Sequence, residues 1–152
     1  MKAKVRQMQE IDVDSVYAIE IATHRSPWSR QILSDCVLVG YDCRVIELEQ
    51  SRLVGYIICR RNLNIFHILN LCVTLTEQGK GYGKALLQTV LDSLKEDTTI
   101  DSVILEVRPS NLAALGLYEK FGFYQDGMKE DYYEDESGTE DAILLKKIVS
   151  KD

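Results

Sequence analysis

Apolar and polar positions alternate along this chain in two rhythms, one of period two and one close to 3.6, and the switches between them mark out its elements. Residues 2–7 read as a first strand. Val13, Val16, Tyr17 and Glu20 then share one side at helical spacing, with Asp12 as the expected N-cap and an end near His24. Pro27 breaks the pattern, and Ser29 can cap a second, short helix carrying Ile32, Leu33 and Cys36 inward. Residues 44–49 and 53–60 are β-rich runs joined by the polar Gln50-Ser51-Arg52, an antiparallel hairpin that 65–74 continues as a meander. A helix follows over 83–95, then a strand over 102–108. Pro109-Ser110-Asn111 opens a further helix, with Ser110 or Asn111 as cap, which runs to Phe121 and stops at Gly122. Closing strands at 123–128 and 141–148 are separated by an acidic loop.

The order βααβββαβαββ predicts an α/β (α+β) fold with a mixed sheet, antiparallel at first and parallel where a strand, a helix and a strand succeed one another. Ligand is then expected at the carboxyl ends of the strands ending near Val73 and Arg108. At 152 residues, with no repeat or linker, the whole of 1–152 is expected to form a single domain.

Composition narrows the function. A formal net charge of −6 argues against nucleic-acid binding, which wants a basic face. No apolar run approaches the roughly 20 residues that span a bilayer, and the N-terminus leads into polar residues, so a cytoplasmic protein without a membrane partner is expected. Cys36, Cys43, Cys59 and Cys72 lack C-x-x-C spacing and sit among apolar residues, as reduced core thiols would. No metal site is expected: His24 has no second histidine at ligand spacing and reads as a helix-end residue.

Gln78-Gly79-Lys80-Gly81-Tyr82-Gly83-Lys84 lies between the apolar run 68–73 and the helix. Three glycines in five residues let backbone N–H groups converge, and the helix start adds unpaired donors and a positive dipole end. That combination holds phosphate. A P-loop needs glycine where Gln78 stands and a hydroxyl where Ala85 stands, and a dinucleotide fingerprint needs glycine where Lys84 stands. The pattern Q/R-x-x-G-x-G fits, with Gln78, Gly81 and Gly83, and here the chain resembles the GCN5-related N-acetyltransferases (GNAT).

Two further stretches carry the resemblance. Glu106 lies in the otherwise apolar strand Ser102-Val103-Ile104-Leu105-Glu106-Val107-Arg108, on the face shared with Ile104 and Arg108, where a carboxylate is costly unless paired or wet. By itself it fits an ion pair with an arginine such as Arg108 as well as a catalytic role. Asn111, Ala114 and Tyr118 recur on one helix face, and Tyr118 alone reads as a core aromatic. The ungapped run from Leu105 through Glu106, Arg108, Ser110, Asn111 and Tyr118 to Gly122-Phe123 is similar to bacterial ribosomal-protein-alanine N-acetyltransferases of the RimI type. So are His24-x-x-Pro27-Trp28-Ser29, Asn70-x-x-Val73, and the late Tyr132-Tyr133 with Gly138 and Glu140-Asp141-Ala142.

The resemblance implies acetyl transfer from acetyl-CoA to a protein α-amine, the N-terminal alanine of small-subunit ribosomal protein eighteen, within a ternary complex. Glu106 is implied as general base and Tyr118 as general acid. Leu71, Cys72 and Val73, Gln78, Gly79, Lys80, Gly81, Tyr82, Gly83 and Lys84, and Asn111 are implied as acetyl-CoA contacts, with Trp28, Tyr132 and Tyr133 on the acceptor side. Burial is expected to raise the pKa of Glu106, and a backbone N–H near Val73 to meet the developing oxyanion. A covalent route through Cys72 lacks an evident base. The acidic stretch 126–141 reads as a solvated loop or, with the tyrosine pair, as a guide for a basic peptide. Leu75, Gly79 and Glu130-Asp131 depart from the family pattern, and Gly79 removes a positive charge from the phosphate turn. The alternatives are a small-molecule amine acetyltransferase and a non-catalytic acyl-CoA sensor.

Overall fold

The computed structural model describes residues 2–149. The elements follow the expected order: β1 (Lys4–Gln7), α1 (Val13–Thr23), α2 (Arg30–Leu38), β2 (Asp42–Leu48), β3 (Arg52–Asn62), β4 (Ile65–Val73), α3 (Tyr82–Leu94), β5 (Ser102–Val107), α4 (Leu112–Lys120), β6 (Tyr124–Asp135) and β7 (Gly138–Ile148). The strands form one sheet in the order β1-β2-β3-β4-β5-β7-β6. Among the described residues, only β4 and β5 pair in parallel, which the α3 crossover between them requires.

Two apolar clusters cover the two faces. Ile57, Phe66, Ile68, Val103 and Leu105 pack with Leu86, Leu87 and Val90 of α3. Val45, Tyr56, Ile58 and Cys72 pack with Val13, Val16 and Ile19 of α1 and Leu33 of α2. Burying Leu86 and Leu87 completely contributes about 1.5–3 kcal/mol each.

Several local expectations change. Asp12 is helical and makes no side-chain cap for α1. It ends a one-turn 3-10 helix, Glu10–Asp12, accepting the Gln9 N–H at 2.8 Å and the Arg6 guanidinium at 2.8 and 2.9 Å. These bonds, Arg6 first, hold its carboxyl below the usual range. Ser29 does cap α2, but Ile32 faces outward, 46% exposed, and the inner face is Leu33 and Cys36. Asn111 rather than Ser110 caps α4, and Gly122 stops it at φ +90.

The acidic stretch is the largest correction: it is strand, not loop, since β6 runs to Asp135 and β7 begins at Gly138. An outer strand with one solvated side tolerates charge at positions where a half-buried strand would alternate, so its sequence hides the period.

Candidate active site

β4 and β5 pair only from Ile65 and Ser102 to His67 and Ile104, then part. The strand on the other side of β4 stays paired, as far as Gly55 with Val73. Cys72 turns its carbonyl toward β3, so close to Gly55 that a Cβ there would lie 2.8 Å from it, and the Thr74 N–H likewise bonds back to Val54. Backbone polar groups alternate in direction along a strand, so those of Leu71 and Val73 face the gap. The Gln78 side chain reaches the Val73 carbonyl at 2.9 Å, tying the glycine turn to the end of β4.

A bulge at Leu69 shapes the same strand. Ile58 pairs with Asn70 and Cys59 with Ile68, leaving Leu69 as the extra residue. It reverses the alternation: Phe66 and Ile68 join the α3 side, whereas Cys72 joins the α1 side. Asn70 is thereby aimed at Glu20 of α1, with Nδ2 donating at 2.8 Å.

The gap opens into a cleft of about 570 Å³. Its floor is β4 from His67 to Leu71 and β5 from Leu105 to Arg108; α4 contributes Asn111, Ala114 and Tyr118. Glu20, His24 and Trp28 wall one side, and Tyr132 and Tyr133 another. Successive strand residues normally face opposite ways. Between Lys129 and Tyr133 the register shifts, with Asp131 at φ +48, and both tyrosines line the cleft, their rings edge to face at 4.9 Å.

Glu106 sits in this cleft with its side chain 9% exposed. His67 Nε2 lies 2.9 and 2.8 Å from its two oxygens, and the Tyr132 hydroxyl donates at 3.4 Å. Burial is the largest single influence on Glu106 and pushes its pKa up. The His67 hydrogen bond and charge, with Lys129 and Tyr132, outweigh it, so the net shift is downward, not upward as expected from burial alone. Sequence reasoning missed His67, which stands two residues before the bulge with no motif around it; only the parallel register with Ile104 brings it beside Glu106. Arg108 is not the partner of Glu106. It pairs with Asp135 at 3.2 Å and Glu140 at 3.1 Å and lies over the Tyr133 ring.

Tyr118 is 6% exposed, and burial raises its pKa, keeping the phenol protonated. Cys72 does not line the cleft. Thr23 gives its hydroxyl proton to the Ile19 carbonyl and stands 2.9 Å from the Cys72 sulfur, whose thiol, raised in pKa by burial, is a poor nucleophile.

The glycine turn lies beyond the cleft. Gly79 and Gly81 take φ +80 and +88, conformations that favour glycine. A Cβ on Gly83 would touch Val73 and Leu117 at 3.7 and 3.8 Å, so α3 begins against the end of β4 and against α4. Tyr82, Gly83 and Lys84 form the first turn of α3, whose unpaired N–H groups suit a phosphate. Lys80 is held at 2.9 Å by the nearly buried Glu77, which also pairs with Arg52.

A sequence model of the acetyltransferase (GNAT) family matches residues 8–123. The chain belongs to the GNAT family. This acetyltransferase is 33% identical over 142 residues to the [ribosomal protein bS18]-alanine N-acetyltransferase of Haemophilus influenzae, covering 93% of this chain and 95% of that one. It is 31% identical over 147 residues to the protein of the same name from Escherichia coli K12, covering 96% and 97%. The crystal structure of the ribosomal-protein-S18-alanine N-acetyltransferase from Escherichia coli superposes with a TM-score of 0.90 at 28% identity, over 99% of this chain and 96% of that one. Among the described residues of this GNAT protein, no helix is long and apolar enough to cross a membrane.

Proposed function

We propose that this GNAT protein transfers the acetyl group of acetyl-CoA to the N-terminal α-amine of a protein, the N-terminal alanine of ribosomal protein bS18, in the cytoplasm. The observation that carries the reading is the opening of β4 from β5, which sets Leu71 and the carboxylate of Glu106 around one cleft and leaves the backbone of Val73 facing the same gap further along β4. The names of relatives that match the chain almost end to end support the acceptor.

The turn of Gln78, Gly79, Lys80 and Gly81 with the start of α3 suits the pyrophosphate, and the Leu71 and Val73 edge suits the pantetheine amides by strand-like pairing. When bound, acetyl-CoA supplies an acetyl group activated as a thioester. An α-amine with a pKa of about 7.7–8.0 arrives mostly protonated at neutral pH. Glu106, ionised and held by His67, takes that proton directly or through a water. The N–H of Val73 or Leu71 is directed at the oxyanion that forms on the carbonyl. Tyr118, protonated and buried, gives a proton to the departing sulfur. Asn111 closes the cleft from α4, while Trp28, Tyr132 and Tyr133 receive the acceptor's first residues.

The test is transfer from labelled acetyl-CoA to a peptide copying the bS18 N-terminus, beside an N-terminally blocked copy and the Glu106→Gln enzyme. Transfer that needs both the free amine and Glu106 is expected. Acetyl-CoA binding without transfer to that peptide would remove the assigned acceptor, and a polyamine panel would then test the small-molecule reading.

A further inference from the structure

Glu20 is a buried carboxylate of the cleft that no step of the transfer uses. It is 1% exposed. Its Oε1 accepts the Tyr56 phenol from β3 and the Asn70 amide from β4, the latter at 2.8 Å. Its Oε2 accepts the backbone N–H of Trp28 at 2.9 Å. His24 Nε2 stands 3.4 Å from Oε1, outside hydrogen-bond geometry.

A carboxylate this deep is costly to desolvate, and an apolar side chain of similar volume would serve a purely structural core as well. What the charge achieves here is directional. Two of its donors, Trp28 and Asn70, themselves line the cleft, on the segment joining α1 to α2 and on β4 just past the bulge. One side chain therefore fixes the spacing between the acceptor-side wall and the strand whose backbone faces the gap.

We propose that Glu20 is a positioning residue that sets the width of the acceptor pocket, and with it the size of the first residue accepted, by holding the Trp28 segment at a fixed distance from Asn70. This rests on the N-terminal acceptor reading above. Replacing Glu20 with glutamine keeps the volume but removes the charge that orders all three donors: Tyr56 and Asn70 can turn to accept from the new NH2, whereas the Trp28 N–H can only donate and keeps a weaker, neutral bond. The segment then moves off the strand and the pocket widens.

Trp28 is the chain's single tryptophan, so its fluorescence reports the segment directly. Peptides identical except for a first residue of Ala, Ser, Met or Phe are compared on the wild type, Glu20→Gln and the milder Asn70→Ala, which removes one donor and leaves the carboxylate. In Glu20→Gln the kcat/KM preference for Ala over Phe is expected to fall about 10-fold. Trp28 emission should shift to the red and become more quenchable, with the acetyl-CoA Kd unchanged. Asn70→Ala should lower the preference in the same direction, and if Glu20→Gln does not fold, the Trp28 emission of Asn70→Ala decides the matter, because a pocket widened only by the missing side chain would leave that emission in place. Equal loss of activity on every peptide, or Trp28 emission that does not move, would overturn the role given to Glu20. A wild type inactive on every free-amine peptide would instead overturn the acceptor reading itself.

Discussion

His67 Nε2 bridges both carboxylate oxygens of Glu106, at 2.9 and 2.8 Å, at the point where β4 and β5 stop pairing. The last paired residues of the parallel ladder thus set the orientation of the side chain that projects into the gap beyond it. A histidine at this position does two things to a carboxylate: it fixes the plane of the group, and it favours the ionised form.

The pH profile should show this. Glu106 is held below its ordinary value of 4.5, so it is ionised throughout the neutral range. The rise of kcat/KM between pH 6 and 8 should then follow the acceptor amine, whose pKa is about 7.7–8.0. In His67→Phe the hydrogen bond and the charge are gone and burial remains, so the separate limb due to Glu106, which in the wild type lies below the amine's, should move to higher pH while the amine's limb stays. A Glu106 limb that stays in place would mean that His67 does not act through Glu106. The sign for stability runs the same way: a depressed carboxyl pKa stabilises the fold above its unfolded value and loses that contribution as pH falls through the folded one. His67→Phe should therefore lower Tm at pH 7 more than at pH 3.

Tyr118→Phe removes one buried hydroxyl and no packing. A reduction in kcat of about 10²-fold is expected, within the range for a lost general acid, with acetyl-CoA affinity and Tm nearly unchanged. Isothermal titration beside steady-state kinetics separates the two, and an undiminished kcat would remove Tyr118 from the proton path.

Gly55 and Gly79 differ in what they require. Gly55 needs space, because a Cβ would lie 2.8 Å from the Cys72 carbonyl. Gly55→Ala should push β4 outward, costing about 1–3 kcal/mol of stability and lowering kcat. Gly79 has open space but sits at φ +80. Gly79→Ala should cost about 1 kcal/mol and raise the Kd for acetyl-CoA while leaving peptide KM alone. Denaturant melts and cofactor titration of both variants check the split.

Asp135 and Glu140 are engaged by Arg25 and Arg108, which leaves the exposed Glu134 and Glu136 as the positions at which to test whether the hairpin guides a basic peptide. The double reversal Glu134→Lys and Glu136→Lys should raise KM for a basic peptide and flatten its dependence on salt. Unchanged KM and salt slope would leave the hairpin without a part in acceptor capture.

The element order was legible because helical spacing at 13–20 and 83–95 and the β-rich runs at 44–49 and 53–60 are local signals. Glu106 was legible because a carboxylate in an apolar strand stands out, and the glycine turn because three glycines at that spacing are uncommon. What escaped depends on register. Neither the Leu69 bulge nor the His67 contact leaves a mark in the sequence, since both arise from how strands far apart in the chain are paired. Asp12 escaped for a related reason: its competitor for the helix N-terminus was Arg6, on the neighbouring strand. The downward shift of Glu106 followed from the same omission, because burial was visible in the pattern and its partner was not.

Unsatisfied strand edges invite other chains to pair with them, and proteins ordinarily blunt the ones at a sheet's rim. In this sheet the long outer strand β6 is charged along much of its length. The edge that Leu71 and Val73 leave open is not at the rim but in the middle, between two strands anchored at their other ends. A stray polypeptide would have to wedge into a slot; a slender, flexible chain such as a pantetheine arm can thread it. The protein thus keeps its stickiest backbone in a place where width, rather than charge, does the guarding.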